Sequence, residues 1–399
     1  MKIRAANSSR RAGFALILVM ITIIALTSLV ASFAISMNTE VRLARNSDYD
    51  QEMEWMGRSG IEMARYALAN KSPEQRGMDA LNQYWAGGTS MGSNDISSIV
   101  NLKNQPLGNG AVSVNVVDME RKWSINMVAN PAAPQRDVLQ NALNLVGVTD
   151  TGVASTIVDS ILDWANPNTS SGTGSGFSGA KDEYYGHLNP PYFCKDGQFD
   201  DLSELLLIRG VTPEMYFGIN SSNHAVSPYQ QHGGGAFGQP SGNGHLGMRG
   251  NNDEPVYQIG LTNLFSPMGG KLNINTASAT ALRLIPGMDE NTAAHIIQQR
   301  AGPDGVEGND DDAPFQNIGE INGGLPGGGG LGRPPANIPG APPAGIAAQG
   351  LAAYIDVRSY VFDVQVTAEI NGYKKVYHGI VSRAGPSGQQ TRCVKFYWE

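Results

Sequence analysis

Lys2, Arg4, Arg10 and Arg11 make the start of the chain basic, and then charge stops: no Asp, Glu, Lys or Arg occurs across residues 12–39. Within that window residues 14–36 are dominated by Leu, Ile, Val, Ala and Met. As a helix this run is long enough to cross the roughly 30 Å hydrocarbon core of a bilayer. The pattern then becomes periodic. Tyr49, Met53, Met56, Gly60, Met63 and Ala67 recur at spacings of four and three, with Arg58, Glu62 and Arg65 on the remaining surface. That spacing predicts an amphipathic helix continuing from the apolar one, its stripe packed in a core.

Further along, the period changes from helical to two. In "GAVSVNVVDMERKWSINM" Val112, Val114 and Val116 alternate with Ser113 and Asn115, which reads as a strand pair. "SYVFDVQVTAEINGYKKVYHGIVSR" alternates on both sides of Asn371-Gly372, the commonest type I′ hairpin turn, and "TRCVKFYWE" supplies a last strand. Between these β regions lie helical patterns and loops. The fold class is therefore α+β: a long N-terminal helix packed on an antiparallel sheet, with a large all-α domain of helix-hairpin-helix (SAM-like) type inserted into it. The chain divides into a leader at 1–13, a membrane helix at 14–36, a helix with the first strands at 37–135, the insert at 136–350 and closing strands at 351–399.

The insert reads as two diverged copies of one unit. In "LQNALNLVGVTDTGVASTIVDSILDWAN" and "ALRLIPGMDENTAAHIIQQRAGPDG" a short helix ends at Gly147 or Gly287, and a second helix carries Ile157 and Ile161, or Ile296 and Ile297. An acid-rich loop then leads to a Phe and a short "LSEL" or "IGEI" helix. Residues 221–256 and 323–350 are Gly/Pro-rich loops too poor in apolar side chains to offset the entropy of ordering.

Composition narrows the chemistry. The chain of 399 residues carries a net charge of −8, which disfavours nucleic acid, since affinity for phosphate comes from Lys and Arg releasing counterions. The second hairpin illustrates this: Lys271, Arg283 and Arg300 are outweighed by Asp289, Glu290 and the loop that follows. The two cysteines, Cys194 and Cys393, lack metal-site spacing, and an oxidising compartment would allow one disulfide. Dense carboxylates instead point to calcium, which takes six to eight oxygen ligands. One candidate loop, "GPDGVEGNDDDAPF", holds Asp304, Glu307, Asp310, Asp311 and Asp312. The corresponding loop of the first copy offers Asp163, Asn166 and Asn168 in "DWANPN", with Asp182 and Glu183 in "KDEYY". No catalytic motif accompanies the six scattered histidines, so an enzyme is not expected.

The N-terminal run admits three readings: a secretory signal cut near Ser32-Phe33-Ala34, an uncleaved anchor, or a prepilin. A basic leader ending in Gly13, followed by Phe14 and a spanning helix, resembles the processing site of type IV prepilins and pseudopilins. That resemblance implies cleavage after Gly13 by a prepilin peptidase and methylation of Phe14. The phrases "ILDW", "DEYY", "SELLLIRGVTPEMY" and "LNINTAS", in this order, extend it to the type II secretion system protein K family of large minor pseudopilins. It implies a pilin-like domain split by a calcium-binding helical domain. It also implies a single-pass inner-membrane protein with a cytoplasmic N-terminus and a periplasmic bulk. Its partners would be other minor pseudopilins in a tip complex, a major pseudopilin below, the prepilin peptidase and the membrane, with no nucleic acid. Most pilins carry Glu at the fifth position after the cut; Leu18 stands there, as is typical of the tip subunit. A DNA-uptake or type IV pilus-related minor pilin is the alternative, and it should show a basic stripe.

Overall fold

The computed structural model describes residues 9–89, 100–168, 179–218, 259–324, 348–384 and 390–398. The Gly/Pro-rich stretches at 221–256 and 323–350 fall almost wholly outside these residues. A single helix, α1 (Ser9–Ala69), opens the chain and runs without a break from the apolar segment into the amphipathic one. Among the described residues nothing else covers its apolar part. Further along, the predicted stripe meets a sheet: Met53, Met56 and Ala67 are buried, and Tyr49 and Met63 pack at the rim of the same core. The helix comes so close to the sheet that a Cβ on Gly60 would lie 2.4 Å from Val366 Cγ1, which explains a glycine in mid-helix.

Among the described residues the strands are β1 (Gln105–Leu107), β2 (Gly110–Asp118), β3 (Trp123–Ser124), β4 (Phe265–Ser266), β5 (Leu272–Asn273), β6 (Ile355–Asp356), β7 (Val361–Ile370), β8 (Tyr373–Ala384) and β9 (Gln390–Trp398). Five form one antiparallel sheet in the order β1-β2-β7-β8-β9. Val112, Val114, Val116, Phe362, Val364 and Val366 point from it toward α1. Asn371 and Gly372 take φ of 51° and 82°, the left-handed pair that a type I′ turn requires.

The expected strand pair in "GAVSVNVVDMERKWSINM" is corrected here. β2 ends at Asp118, the chain makes a 3₁₀ turn at Met119–Arg121, and Trp123–Ser124 pairs in parallel with β4 in a different sheet. The partner of β2 is β7, in a register that sets Asp118 opposite Phe362. The insert thus leaves and re-enters between two neighbouring strands. Its core takes in Trp123, Ile125 and Val128 at one end and Ile355 and Val357 at the other. The two cores therefore meet near residues 118–122 and 358–360, outside the 135/136 and 350/351 divisions read from sequence.

Ten helices fill the described insert: α2 (Ile125–Val128), α3 (Arg136–Val146), α4 (Thr151–Ala165), α5 (Asp182–Tyr185), α6 (Pro213–Phe217), α7 (Leu261–Leu264), α8 (Ala279–Leu282), α9 (Glu290–Arg300), α10 (Gly319–Gly324) and α11 (Ala348–Leu351). The internal repeat is visible as two hairpins. α3 and α4 join through Gly147, α8 and α9 through Gly287, both left-handed at φ 116° and 81°. Asp150 and Asp289 then cap the second helix of each pair through backbone N–H groups. Phe199 and Phe315 close the copies by burying in the common core.

Candidate functional site

Three regions carry chemistry beyond core packing: the stem, the seam between the cores, and the acid loops. Phe14 begins the uncovered stem at 69% exposure, and Leu18 faces outward at 52%. The stem's threonines need no partner from outside the helix: Thr22, Thr27 and Thr39 donate their hydroxyls to the carbonyls of Val19, Ile23 and Ile35 at 2.8–2.9 Å. Threonines satisfied within their own helix are compatible with lipid or with another apolar helix. Gly13 lies within α1, directly before Phe14.

The seam was not anticipated from sequence. Asp79 is fully buried and accepts both guanidinium nitrogens of Arg383, at 2.9 and 3.0 Å, together with the Lys71 ammonium. At the last position of the strand that enters the insert, Asp118 accepts from Asn273, Thr276 and Ser359. Glu120 accepts from the backbone N–H of Gly270 at 2.6 Å and of Tyr360 at 2.7 Å, holding the exit connection against the entry. Burial alone would raise Asp79, but Lys71 and Arg383 hold it below the usual carboxylate range. Burial pulls Lys71 down to about 8, against the attraction of Asp79. Burial also pushes Asp118 up, and Glu120 rises to about 8 through burial and the nearby Asp118. "LNINTAS" belongs to this seam. Asn273 donates to the Asp79 carbonyl, Asp118 and Ser359, while Asn275 exchanges hydrogen bonds with the Phe315 backbone at 2.9 Å. The motif is a clasp between cores rather than a phosphate-binding turn.

Other basic groups of the second hairpin are likewise engaged. Lys271 donates to the Ala352 carbonyl, Arg283 pairs with Glu290, and buried Arg300 holds Glu307 and the carbonyls of Ile274 and Ala277. No basic stripe for DNA forms among these residues.

The candidate calcium ligands do not converge: among the described residues no group of three or more His, Cys, Asp or Glu side chains is placed to hold one ion. In the second loop each carboxylate accepts at least one hydrogen bond, while Asp312 Oδ1 is buried without a partner. Asp304 accepts from Val306 N and Asn309, Glu307 from Arg300, Asp310 from Thr89, Asp311 from Asp304 N and Asp312 from Gly308 N. In the first loop Asp182 accepts from Cys194 N at 2.7 Å, Glu183 is exposed, and the Asn166 side chain accepts from Asn168 N. Asp163 differs. It is completely buried on α4 with both carboxylate oxygens unpartnered, and Gly179 presses on it so closely that a Cβ there would lie 1.8 Å from Oδ2. Cys194 and Cys393 are both free thiols, one buried and one exposed.

An uncovered apolar stem runs on into the helix of an α-on-sheet domain, and a helical domain is set between neighbouring strands; this defines an α+β protein with a split sheet. Residues 114–221, which run from within β2 through the first hairpin unit, match the family model described as Type II secretion system (T2SS), protein K. The match covers about a quarter of the chain. Its fold is similar to a chain in the crystal structure of the GspK-GspI-GspJ complex from the enterotoxigenic Escherichia coli type 2 secretion system. The similarity has a TM-score of 0.57 and 15% identity, over 89% of this chain and 99% of that one. A comparison with curated proteins finds no sequence match.

Proposed function

We propose that this chain is a minor pseudopilin of a type II secretion system that occupies the tip of the periplasmic pseudopilus, starts its assembly with other minor pseudopilins, and so supports export of folded proteins across the outer membrane. The observation that carries this reading is the pairing of Leu18, an uncharged residue on an uncovered stem, with a bulky insert issuing from the sheet. A charge in the bilayer is costly unless paired, so a subunit with none above it has no use for an acid at that position. The basic leader supports a cytoplasmic N-terminus, and Gly13 and Phe14 support cleavage and methylation there. The complex named in the related structure supports minor pseudopilins as partners.

The test is mass analysis of the mature chain from cells with and without the prepilin peptidase. A chain beginning at N-methyl-Phe14 only when the peptidase is present is the expected outcome; an intact Met1 or a cut near Ala34 overturns the reading. Leu18→Glu separates tip from shaft. It should leave processing intact and reduce secretion, whereas unchanged secretion would argue for a place within the filament.

A further inference from the structure

Asp163 is a buried acid without a hydrogen-bond partner, next to a loop where the resemblance implies calcium, yet the neighbouring Asn166 carbonyl, Asp196 and Asp182 that would complete a metal's shell already accept from N–H donors. Lys181, 7% exposed, extends its ammonium to the Asn166 carbonyl at 2.6 Å and to Asp196, bridging the end of α4 and the segment after α5. Asp196 is held in the left-handed region at φ 52°, turned to meet it. The other acids nearby are satisfied: Asp159 by Arg136 and Asp182 by the Cys194 N–H. The positive charge that reaches Asp163 most strongly is also that of Lys181. An ammonium has three donors and one fixed charge, whereas calcium needs six to eight oxygens, and a dication brought beside a buried ammonium is repelled.

We infer that Lys181 fills the cation position of the first hairpin loop, so that its ammonium joins Asn166 and Asp196 beside Asp163 in place of a calcium ion. The loop is then tied by a bond that no chelator removes. A residue that travels with the chain substitutes for one drawn from the surroundings.

The experiment uses the full-length protein in detergent micelles, with calcium alone as the added ligand and thermal unfolding as the readout. The wild type and Asp163→Asn should respond to calcium in the same way, and Lys181→Met should melt several degrees lower with or without calcium. Lys181→Glu gathers a third carboxylate beside Asp163 and Asp196. It should melt low in chelator and recover on calcium addition. Calcium stabilisation of the wild type that Asp163→Asn abolishes would overturn the inference. So would Lys181→Met melting like the wild type, or a folded Lys181→Glu variant indifferent to calcium. Lys181→Arg, which keeps the charge, provides the control for packing.

Discussion

Single residues at the seam set how this protein responds to pH. Glu120 loses its proton near the ordinary 4.5 when unfolded and near 8 when folded. Between those values the folded state holds a proton that the unfolded state has released, so this group makes stability fall as pH rises. Glu120→Gln removes that slope, and its amide leaves one of the Gly270 and Tyr360 N–H groups unmatched, at a cost of about 1–3 kcal/mol. In urea unfolding the gap between wild type and variant should be widest near pH 5 and narrow toward pH 8; a constant gap would refute the assignment. Part of this site was legible. Asp118 continues the buried phase of Val112, Val114 and Val116, so a carboxylate at a core position was visible in the alternation. Its partners were not, because Asp79, Asn273 and Ser359 are brought to it from remote parts of the chain and no local pattern connects them.

At the scale of elements, periodicity was reliable wherever one face is buried throughout. The α1 stripe, the Asn371-Gly372 hairpin and both glycine-turned helix pairs stand as read. The reading failed at "WSINM", where Trp123 and Ile125 look like a returning strand but serve the core of the insert. A short apolar run cannot declare which of two cores it serves. The close approach of α1 to the sheet gives a sharp expectation. Gly60→Ala gains up to about 1 kcal/mol of helix propensity, yet forces a Cβ into Val366. Overpacking of this kind costs about 1–3 kcal/mol, so the variant should unfold at lower denaturant. Val366→Ala in the same chain should return part of the loss.

The whole molecule was legible as a class because its signals are large: an uncharged stem, a sheet split in sequence and a repeated hairpin. In the candidate metal loops carboxylate density counts acids but not the N–H groups and cations that meet them, so the sequence could not say how these side chains are used. The seam ties the sheet to the insert through buried hydrogen bonds, which should make the two unfold together. Calorimetry should show one unfolding transition for both. Asn273→Ala deprives Asp79, Asp118 and Ser359 of a shared donor, so it should lower that transition by several degrees and separate it into two. Two transitions in the wild type would mean that the clasp does not couple the cores.

The pairing of β2 with β7 also governs when the protein can become itself. The ribosome delivers α1 and β2 first and β7, β8 and β9 last, with the entire insert in between. The helical repeats, built from local contacts, have what they need to fold early, whereas β2 must wait for partners encoded at the far end of the message. Until they emerge, the stripe of Met53, Met56 and Ala67 has no sheet to cover it and the strand edge lies open. A newly made chain therefore passes through a stage in which its stem is complete and its pilin body is not. Only once β7 has joined β2, which for a periplasmic domain follows export, does it acquire a shape that another subunit could recognise.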